Sequence, residues 1–221
     1  MELQQAILGR RSIRGFLSDS VSREDIQDLV EKAKWCPSWG NTQPYEIYVA
    51  MGEKVEEFKK QNVEAFLGGT ASETEIPTPA EWPDLLKARY KDVGRQVLDS
   101  QNIGRKDMER RTEYYKAMFT AFNAPVFAFF TIDKRLLVEY SLLDVGLFLQ
   151  TFCVLAHEKG LGTCIMAASV TYPEIVREVM SISDDKRLVI GVGLGYPDLK
   201  NNVNVFKRNR APLEEILHWV D

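Results

Sequence analysis

The run from Leu136 to Glu158 constrains the fold of this chain more than any other segment. It reads as one long helix that is apolar on nearly all sides, interrupted by Asp144 and Gln150. Gly160 follows it as a helix stop. Such a helix must be covered all round, and a chain of 221 residues offers little to cover it. The sequence therefore predicts that a second subunit packs against this helix.

The composition is that of a soluble globular protein with one domain spanning residues 1–221. Hydrophobic residues make up 45% and charged residues 27% of the chain, and the mean hydropathy is −0.23, which fits neither a disordered nor a membrane protein. The net charge of −4 argues against a nucleic-acid backbone or an anionic membrane as the main partner.

Cysteine usage and the N-terminus predict a cytoplasmic protein. Cys36, Cys153 and Cys164 are odd in number and form no CxxC pair, so neither a disulfide framework nor a structural zinc site is expected. The first residues lack a basic start followed by an apolar run, which is the pattern of a secretory signal.

About four strands alternate with a larger number of helices. Strands are predicted at Tyr45–Met51, Pro125–Ile132, 163–166 and 187–194. Helices are predicted at residues 2–9, from Ser22 to before Pro37, from Val55 to Gly68, over the long apolar run and from Pro173. This order gives an α+β fold, or an α/β fold if the sheet is largely parallel.

Residues 68–122 have the character of an inserted helical flap. The segment begins with a loop that contains Pro77, Pro79 and Pro83. Two amphipathic helices follow, and their apolar positions are Leu86, Tyr90, Val93 and Val97 in the first and Met108, Tyr115, Phe119 and Phe122 in the second.

Side-chain chemistry for catalysis is not visible in the sequence. The two histidines, His157 and His218, form no metal-binding pair, and no serine lies in a GxSxG motif. His157 is interpreted as a buried histidine or a helix-end cation. The glycines of Gly191–Gly195 lack the GxGxxG spacing and are interpreted as part of a strand. We therefore expect neither a metal nor a catalytic side chain, and a cofactor that supplies the chemistry.

Two basic clusters lie at opposite ends of the chain. The first contains Arg10, Arg11, Ser12 and Arg14, and the second contains Lys207, Arg208 and Arg210. Arginine forks bind phosphate in a bidentate manner, and a serine adds a hydroxyl donor. The clusters are either the two halves of one phosphate pocket or two solvated surface runs.

Six segments of the chain resemble motifs of the FMN-dependent nitroreductase family, in the order in which the family has them. They are Arg10–Phe16, Pro37–Pro44, Asp144–Gly146, Gly160–Thr163, Gly193–Pro197 and Lys207–Pro212. The resemblance covers most of the chain except about residues 68–115. The helical insertion is similar to that of the nitrobenzoate-reductase-like branch.

The resemblance implies an α+β fold in which helices surround a central, mostly antiparallel sheet, with a long buried central helix and a swapped C-terminal tail. It implies a homodimer with FMN at the subunit interface. NADH or NADPH would deliver hydride to flavin N5 and leave, and a nitroaromatic, quinone or similar electron-poor acceptor would then be reduced in the same pocket. This is a ping-pong mechanism in which the flap excludes water.

The resemblance also implies roles for individual residues. The FMN phosphate would be held by Arg10, Arg11, Ser12, Arg208 and Arg210. Arg14 would lie near the flavin pyrimidine edge, where a fixed cation favours reduction. The isoalloxazine ring would be lined by Pro37, Ser38, Trp39 and Asn41. Flavin N5 would face the backbone near Met166, Ala167 and Ala168.

Two positions depart from the family pattern. Many members have a small residue where Trp39 stands, so the indole either lines the pocket or packs in the core. Many have Glu-Gly where Ala167 and Ala168 stand, which changes the hydrogen bonds available around the N5 edge. Two other functions stay open at this point: a flavin-binding redox or sensor protein with little turnover, and a reductive dehalogenase on the same fold.

Overall fold

The computed structural model describes residues 1–220, which contain four strands and seven α-helices. The strands are β1 (Tyr45–Met51), β2 (Val126–Asp133), β3 (Gly162–Met166) and β4 (Lys186–Gly195). The helices are α1 (Leu3–Gly9), α2 (Arg23–Ala33), α3 (Glu53–Leu67), α4 (Asp84–Ser100), α5 (Met108–Phe119), α6 (Val138–Glu158) and α7 (Pro173–Met180).

The four strands form one antiparallel sheet in the order β1-β2-β4-β3. This confirms the α+β class over the α/β alternative. Strand β2 is central and apolar at nearly every position, because both faces of the sheet are covered by helices. On one face Phe130 packs with Phe148 of α6, and on the other Phe127 packs with Phe58 of α3.

Helix α2 begins where the sequence predicts it. Ser22 is its N-cap, and the Ser22 Oγ accepts a hydrogen bond from the backbone N–H of Asp25. Its apolar positions Ile26, Leu29 and Ala33 are buried against α6. Helix α2 therefore covers part of the face of α6 that lies in the core.

The long helix α6 is buried on one side only. Val145, Phe148 and Phe152 lie in the core, whereas Leu143 is 60% exposed and Tyr140 is 50% exposed. By length and composition the helix could cross a membrane, but its packing against the sheet makes it the core helix of a soluble fold. In the single chain its outer side lacks the cover that its apolar sequence requires.

The flap helices differ from the sequence-based expectation in two respects. Of the four apolar positions predicted for α4 only Val97 is buried, and Tyr90 is 66% exposed. Helix α5 ends at Phe119 rather than continuing to Phe122. It ends because Ala121, Phe122 and Asn123 have φ values of 54°, 52° and 61°, a left-handed backbone that cannot extend an α-helix. The turn nevertheless buries Phe122 beside Tyr114.

The loop before α4 is fastened to the sheet by Glu75. Its carboxylate accepts hydrogen bonds from the backbone N–H of Leu188 and from Arg177, whose Nη2 lies 2.6 Å from the Glu75 Oε1. Arg177 is 7% exposed. Burial alone would raise the pKa of Glu75, but the bonds from Leu188 and Arg177 hold that pKa below its usual range.

We expect Glu75→Gln to destabilise the protein by about 1–3 kcal/mol at pH 7, because the buried Arg177 loses its carboxylate partner. Since the folded-state pKa of Glu75 is lowered, the carboxylate stabilises the fold above the unfolded pKa of about 4.3 and loses this effect as the pH falls through the folded pKa. Thermal unfolding of wild type and variant between pH 7 and pH 3 measures both effects. Exposed Glu73→Gln is the matched control, and equal melting temperatures for the two variants would contradict this role.

Candidate functional site

The two basic clusters come together in the structure. A cavity of about 130 Å³, which we call the arginine pocket, is lined by residues from the N-terminal segment, the C-terminal tail and helix α4. Its lining residues are Arg10, Arg11, Ser12, Arg14, Val93, Phe206, Arg208 and Arg210. Of the two interpretations that the sequence leaves open, the structure supports one shared pocket over two separate surface runs.

The pocket concentrates positive charge that the described residues do not neutralise. The Nε of Arg10 and the Nη1 of Arg208 are buried and have no hydrogen-bond partner. Burial, followed by repulsion from Arg11, Arg210 and Arg10, lowers the pKa of Arg208. Buried donors without acceptors are costly. An anion with several oxygen atoms would relieve this cost, and a phosphate group has that chemistry.

His157 lies beside this cluster at the C-terminal end of α6. Burial and the neighbouring charges of Arg208, Arg10 and Arg11 lower the pKa of the His157 imidazole. This shift favours the neutral form of the ring over a helix-end cation in the chain without ligand. It packs on Gly9, where a Cβ would lie 2.4 Å from its Nε2.

Hydrogen bonds to backbone groups hold the two basic segments together. Arg11 donates from Nη1 to the carbonyl oxygen atoms of Asn204 at 3.0 Å and Phe206 at 3.3 Å. The Oδ1 of Asn204 accepts from the Arg14 N–H at 2.7 Å. Asn204 is a site residue without a sequence signature, because one asparagine among several in a polar segment carries no signal of its burial.

Arg14 lies between the arginine pocket and a larger cavity. It also lines a cavity of about 560 Å³ beneath α5, together with Phe16, Tyr114 and Phe122. Burial raises the pKa of the Tyr114 hydroxyl, and the charge of Arg14 opposes that shift. The guanidinium of Arg14 contacts the carbonyl of Ser12 at 3.5 Å and the Tyr114 hydroxyl, and it has no carboxylate partner within the described residues, so it can still bind an anionic ligand group.

Strand β3 runs away from the pocket toward Met166. Its N-terminal end bridges to the basic segment, where the Ile13 N–H donates to the Thr163 carbonyl at 2.8 Å. Met166 is buried, Ala167 is exposed and Ala168 is half-buried at the far end. Gly162 and Met166 are four residues apart, which separates them by about 13 Å in a strand.

The loop that carries Pro37, Ser38, Trp39 and Asn41 lies at the other end of α6. The backbone N–H of Trp39 donates to both carboxylate oxygen atoms of Asp144, at 3.1 and 3.2 Å. The Trp39 indole is 63% exposed and lies 4.4 Å from Tyr140 between ring centroids, so it is not a core residue in the single chain. Asp144 and His157 are 13 residues apart on α6, a distance of about 20 Å. One chain therefore does not bring this loop to the arginine pocket.

The cysteines are placed as packing residues. Cys36, Cys153 and Cys164 are buried free thiols. Burial raises the pKa of Cys164 to about 11, which keeps it protonated and a weak nucleophile. Within residues 1–220, no group of three His, Cys, Asp or Glu side chains is placed to hold a metal ion.

Comparison with known proteins gives a consistent result along the whole chain. The sequence model of the nitroreductase family matches residues 7–196. A 4-nitrobenzoate reductase from Pseudomonas putida is 31% identical over 223 residues, which cover 99% of this chain and 96% of that protein. A chloronitrobenzene nitroreductase from Comamonas testosteroni is 34% identical with the same coverage of both proteins.

A solved structure with high similarity has the same fold. The crystal structure of the FMN- and NADPH-dependent nitroreductase NfnB from Sphigopyxis sp. strain HMH superimposes with a TM-score of 0.95. The two chains are 27% identical, and the match covers 100% of each.

Proposed function

The chain belongs to the nitroreductase family, and we propose that it is an FMN-dependent oxidoreductase that uses NADPH or NADH to reduce nitroaromatic, quinone or similar electron-poor acceptors. The observation that carries the proposal is the pocket in which Arg10 and Arg208 hold buried nitrogen atoms without hydrogen-bond partners. The names of the relatives support the same function, since they reduce nitrobenzoate and chloronitrobenzene or depend on FMN and NADPH.

The residues of the pocket fit the phosphate of FMN. Arg10, Ser12, Arg208 and Arg210 offer guanidinium and hydroxyl donors to its oxygen atoms. Arg11 adds its charge at the pocket wall while its Nη1 donates to the tail backbone. A phosphate dianion would also reduce the mutual repulsion of these arginines.

The ring system of FMN fits on the side of Arg14 and β3. Arg14 lines both the phosphate pocket and the larger cavity, as expected for a residue near the pyrimidine edge. Ala167 and Ala168 lie at the far end of β3 with Met166, at a distance that a ribityl chain and ring can span. Their small side chains would allow a flavin edge to approach the backbone closely there.

The remaining ring contacts require a second copy of the chain. The exposed side of α6 carries Tyr140, Leu143 and Leu147 around Gly146, where a Cβ would meet nothing within 4 Å. An antiparallel two-fold pairing of α6 would cover this face and place the 37–41 loop of each chain beside the arginine pocket of the other. We therefore propose a homodimer with two FMN sites, each formed by both chains.

The C-terminal tail fits the proposed exchange between subunits. Its apolar residues Leu213, Ile216 and Trp219 are 63%, 67% and 82% exposed in the single chain. Strand β1 is an edge of the sheet, and an open groove beside it is lined by Ile26, Val30, Ile47 and Val49. We propose that the C-terminal tail of the partner subunit packs into this apolar groove beside β1.

FMN, when bound, supplies the redox chemistry by taking hydride from the nicotinamide and passing reducing equivalents to the acceptor. The chain supplies position and charge. Arg14 would stabilise negative charge at the pyrimidine edge, and the arginine cluster would fix the phosphate end. The flap, residues 68–122, covers the larger cavity with α5 and would exclude water and select acceptors. The free thiols fit work in a reducing compartment, which we propose is the cytoplasm.

The proposal is tested by anaerobic spectroscopy of the purified protein reconstituted with FMN. We expect a flavin absorption band that NADPH or NADH bleaches, and that 4-nitrobenzoate, nitrobenzene or a quinone restores with conversion of the acceptor. A protein that binds no FMN on reconstitution would overturn the proposal. A protein whose bound FMN is not reduced by either nicotinamide would be a flavin-binding protein of another kind.

A further inference from the structure

Asn204 is a fully buried polar residue between the two basic segments. It is 1% exposed, and it lies in the tail six residues after Asp198 and four residues before Arg208. A buried amide in a surface segment is costly unless its donors and acceptor are used. The hydrogen bonds of this residue therefore indicate what it is for.

The Asn204 side chain makes three hydrogen bonds, all to backbone groups. Its Oδ1 accepts from the Arg14 N–H at 2.7 Å. Its Nδ2 donates to the Gly15 carbonyl at 2.7 Å and to the Asp198 carbonyl at 2.9 Å. Both amide hydrogens are used, so the side chain binds the backbone on both sides of Arg14.

Asn204 is the hydrogen-bond partner of the Arg14 N–H, whereas the Gly15 carbonyl also accepts from the Asp198 N–H at 3.1 Å. The neighbouring positions are held by backbone pairs, from the Ile13 N–H to the Thr163 carbonyl and from the Leu17 N–H to the Tyr196 carbonyl. The Arg14 N–H has Asn204 instead. The segment also approaches the tail closely at Gly15, where a Cβ would lie 2.8 Å from the Nδ2 of Asn201.

We propose that Asn204 is a positioning residue that orients Arg14 toward the flavin ring. This inference rests on the proposed FMN site. The guanidinium of Arg14 has a long contact of 3.5 Å to the Ser12 carbonyl and a further contact with the Tyr114 hydroxyl, so the placement of its own backbone also decides where the cation points. Asn204 fixes that backbone, and with it the cation that would contact the pyrimidine edge of reduced flavin.

The test compares Asn204→Ser with the matched variant Asn202→Ser. Serine keeps the site neutral but removes both amide donors, and Asn202 is an exposed residue of the same segment. Dissociation constants are measured for FMN and for riboflavin, which lacks the phosphate, and the midpoint potential of bound FMN is measured by dye equilibration. For Asn204→Ser we expect affinity for riboflavin to fall about 10-fold, FMN affinity to fall at least as much, and the potential to become more negative. Asn202→Ser should match wild type in all three.

A double-mutant cycle separates positioning from a general loss of structure. If Asn204 acts through Arg14, the pair Arg14→Ala and Asn204→Ser should weaken riboflavin binding no more than Arg14→Ala alone. Additive effects would overturn the proposal, and so would an Asn204→Ser protein with a lower melting temperature but unchanged riboflavin affinity and potential. Should Asn204→Ser not fold, Asn204→Gln keeps the amide on a longer side chain and should show the same changes at smaller size. Failure of the wild type to bind FMN would instead refute the proposed function.

Discussion

Replacing both Arg10 and Arg208 with alanine is expected to weaken FMN binding by about 100-fold or more while changing riboflavin binding less than about threefold. The two residues carry the buried nitrogen atoms without hydrogen-bond partners in the arginine pocket. Charge-assisted hydrogen bonds to phosphate contribute about 1.5–3 kcal/mol each, and 1.4 kcal/mol corresponds to a factor of ten in affinity. Riboflavin has no phosphate, so it does not gain from these residues.

Without ligand the double variant should have nearly wild-type stability, because it removes repulsion within the cluster together with the hydrogen bond from Arg208 to the Leu8 carbonyl. Titration of apoprotein by flavin fluorescence quenching gives both dissociation constants, and thermal unfolding gives the stability. The control variant, Lys60→Ala with Lys200→Ala, removes the same number of charges from exposed positions. Equal losses of FMN and riboflavin affinity would show that the arginines do not bind phosphate. If the control variant lost as much FMN affinity as the arginine double variant, the loss would be an effect of net charge only.

Most of the secondary structure was predictable because it is determined by residues close together in the sequence. Strand β1 occupies the predicted residues Tyr45–Met51, and α2 begins as predicted after Ser22, whose side chain caps it with a hydrogen bond. These features depend on period-two alternation and on capping chemistry within a few residues. The end of α5 was not predictable in the same way. Phe122 continues the apolar spacing, but three left-handed residues turn the backbone, and tertiary packing selects that turn.

The candidate site was only partly accessible from the sequence, for a different reason. The arginine clusters can be recognised from the sequence, and the structure brings them together as one pocket. Asn204 cannot be recognised in this way, because its role depends on burial between segments about 190 residues apart. The separation of the 37–41 loop from the arginines by the length of α6 is also invisible in a motif list. Because of that separation, the oligomeric state decides whether the 37–41 loop can contribute to the flavin site.

Charged residues on the outer face of α6 are expected to abolish both the dimer and FMN binding. In the single chain Leu143 is 60% and Leu147 is 36% exposed, so Leu143→Glu with Leu147→Glu should fold as a monomer. In a dimer the same carboxylates would be buried without partners, which costs several kcal/mol and would raise the dimer dissociation constant by more than about 100-fold. Sedimentation velocity measures the mass, and flavin titration measures binding by the same samples.

The control is Leu67→Glu, a substitution of a leucine that is 57% exposed at the end of α3, away from the outer face of α6. It should remain a dimer and bind FMN as wild type does. A Leu143→Glu, Leu147→Glu protein that is monomeric and still binds FMN with wild-type affinity would show that one chain contains the whole site. The 37–41 loop would then have no part in flavin binding.

Mixing two defective chains tests the shared site directly. One chain carries Arg10→Ala with Arg208→Ala, and the other carries Trp39→Ala with Asn41→Ala, so neither homodimer has an intact site. In a mixed dimer one site receives both defects and the other receives none. Random co-refolding of equal amounts should therefore restore about one quarter of the wild-type FMN capacity at wild-type affinity. No recovery in mixed dimers would contradict a site built from both chains, because each half would then have to come from the same chain, about 20 Å apart along α6.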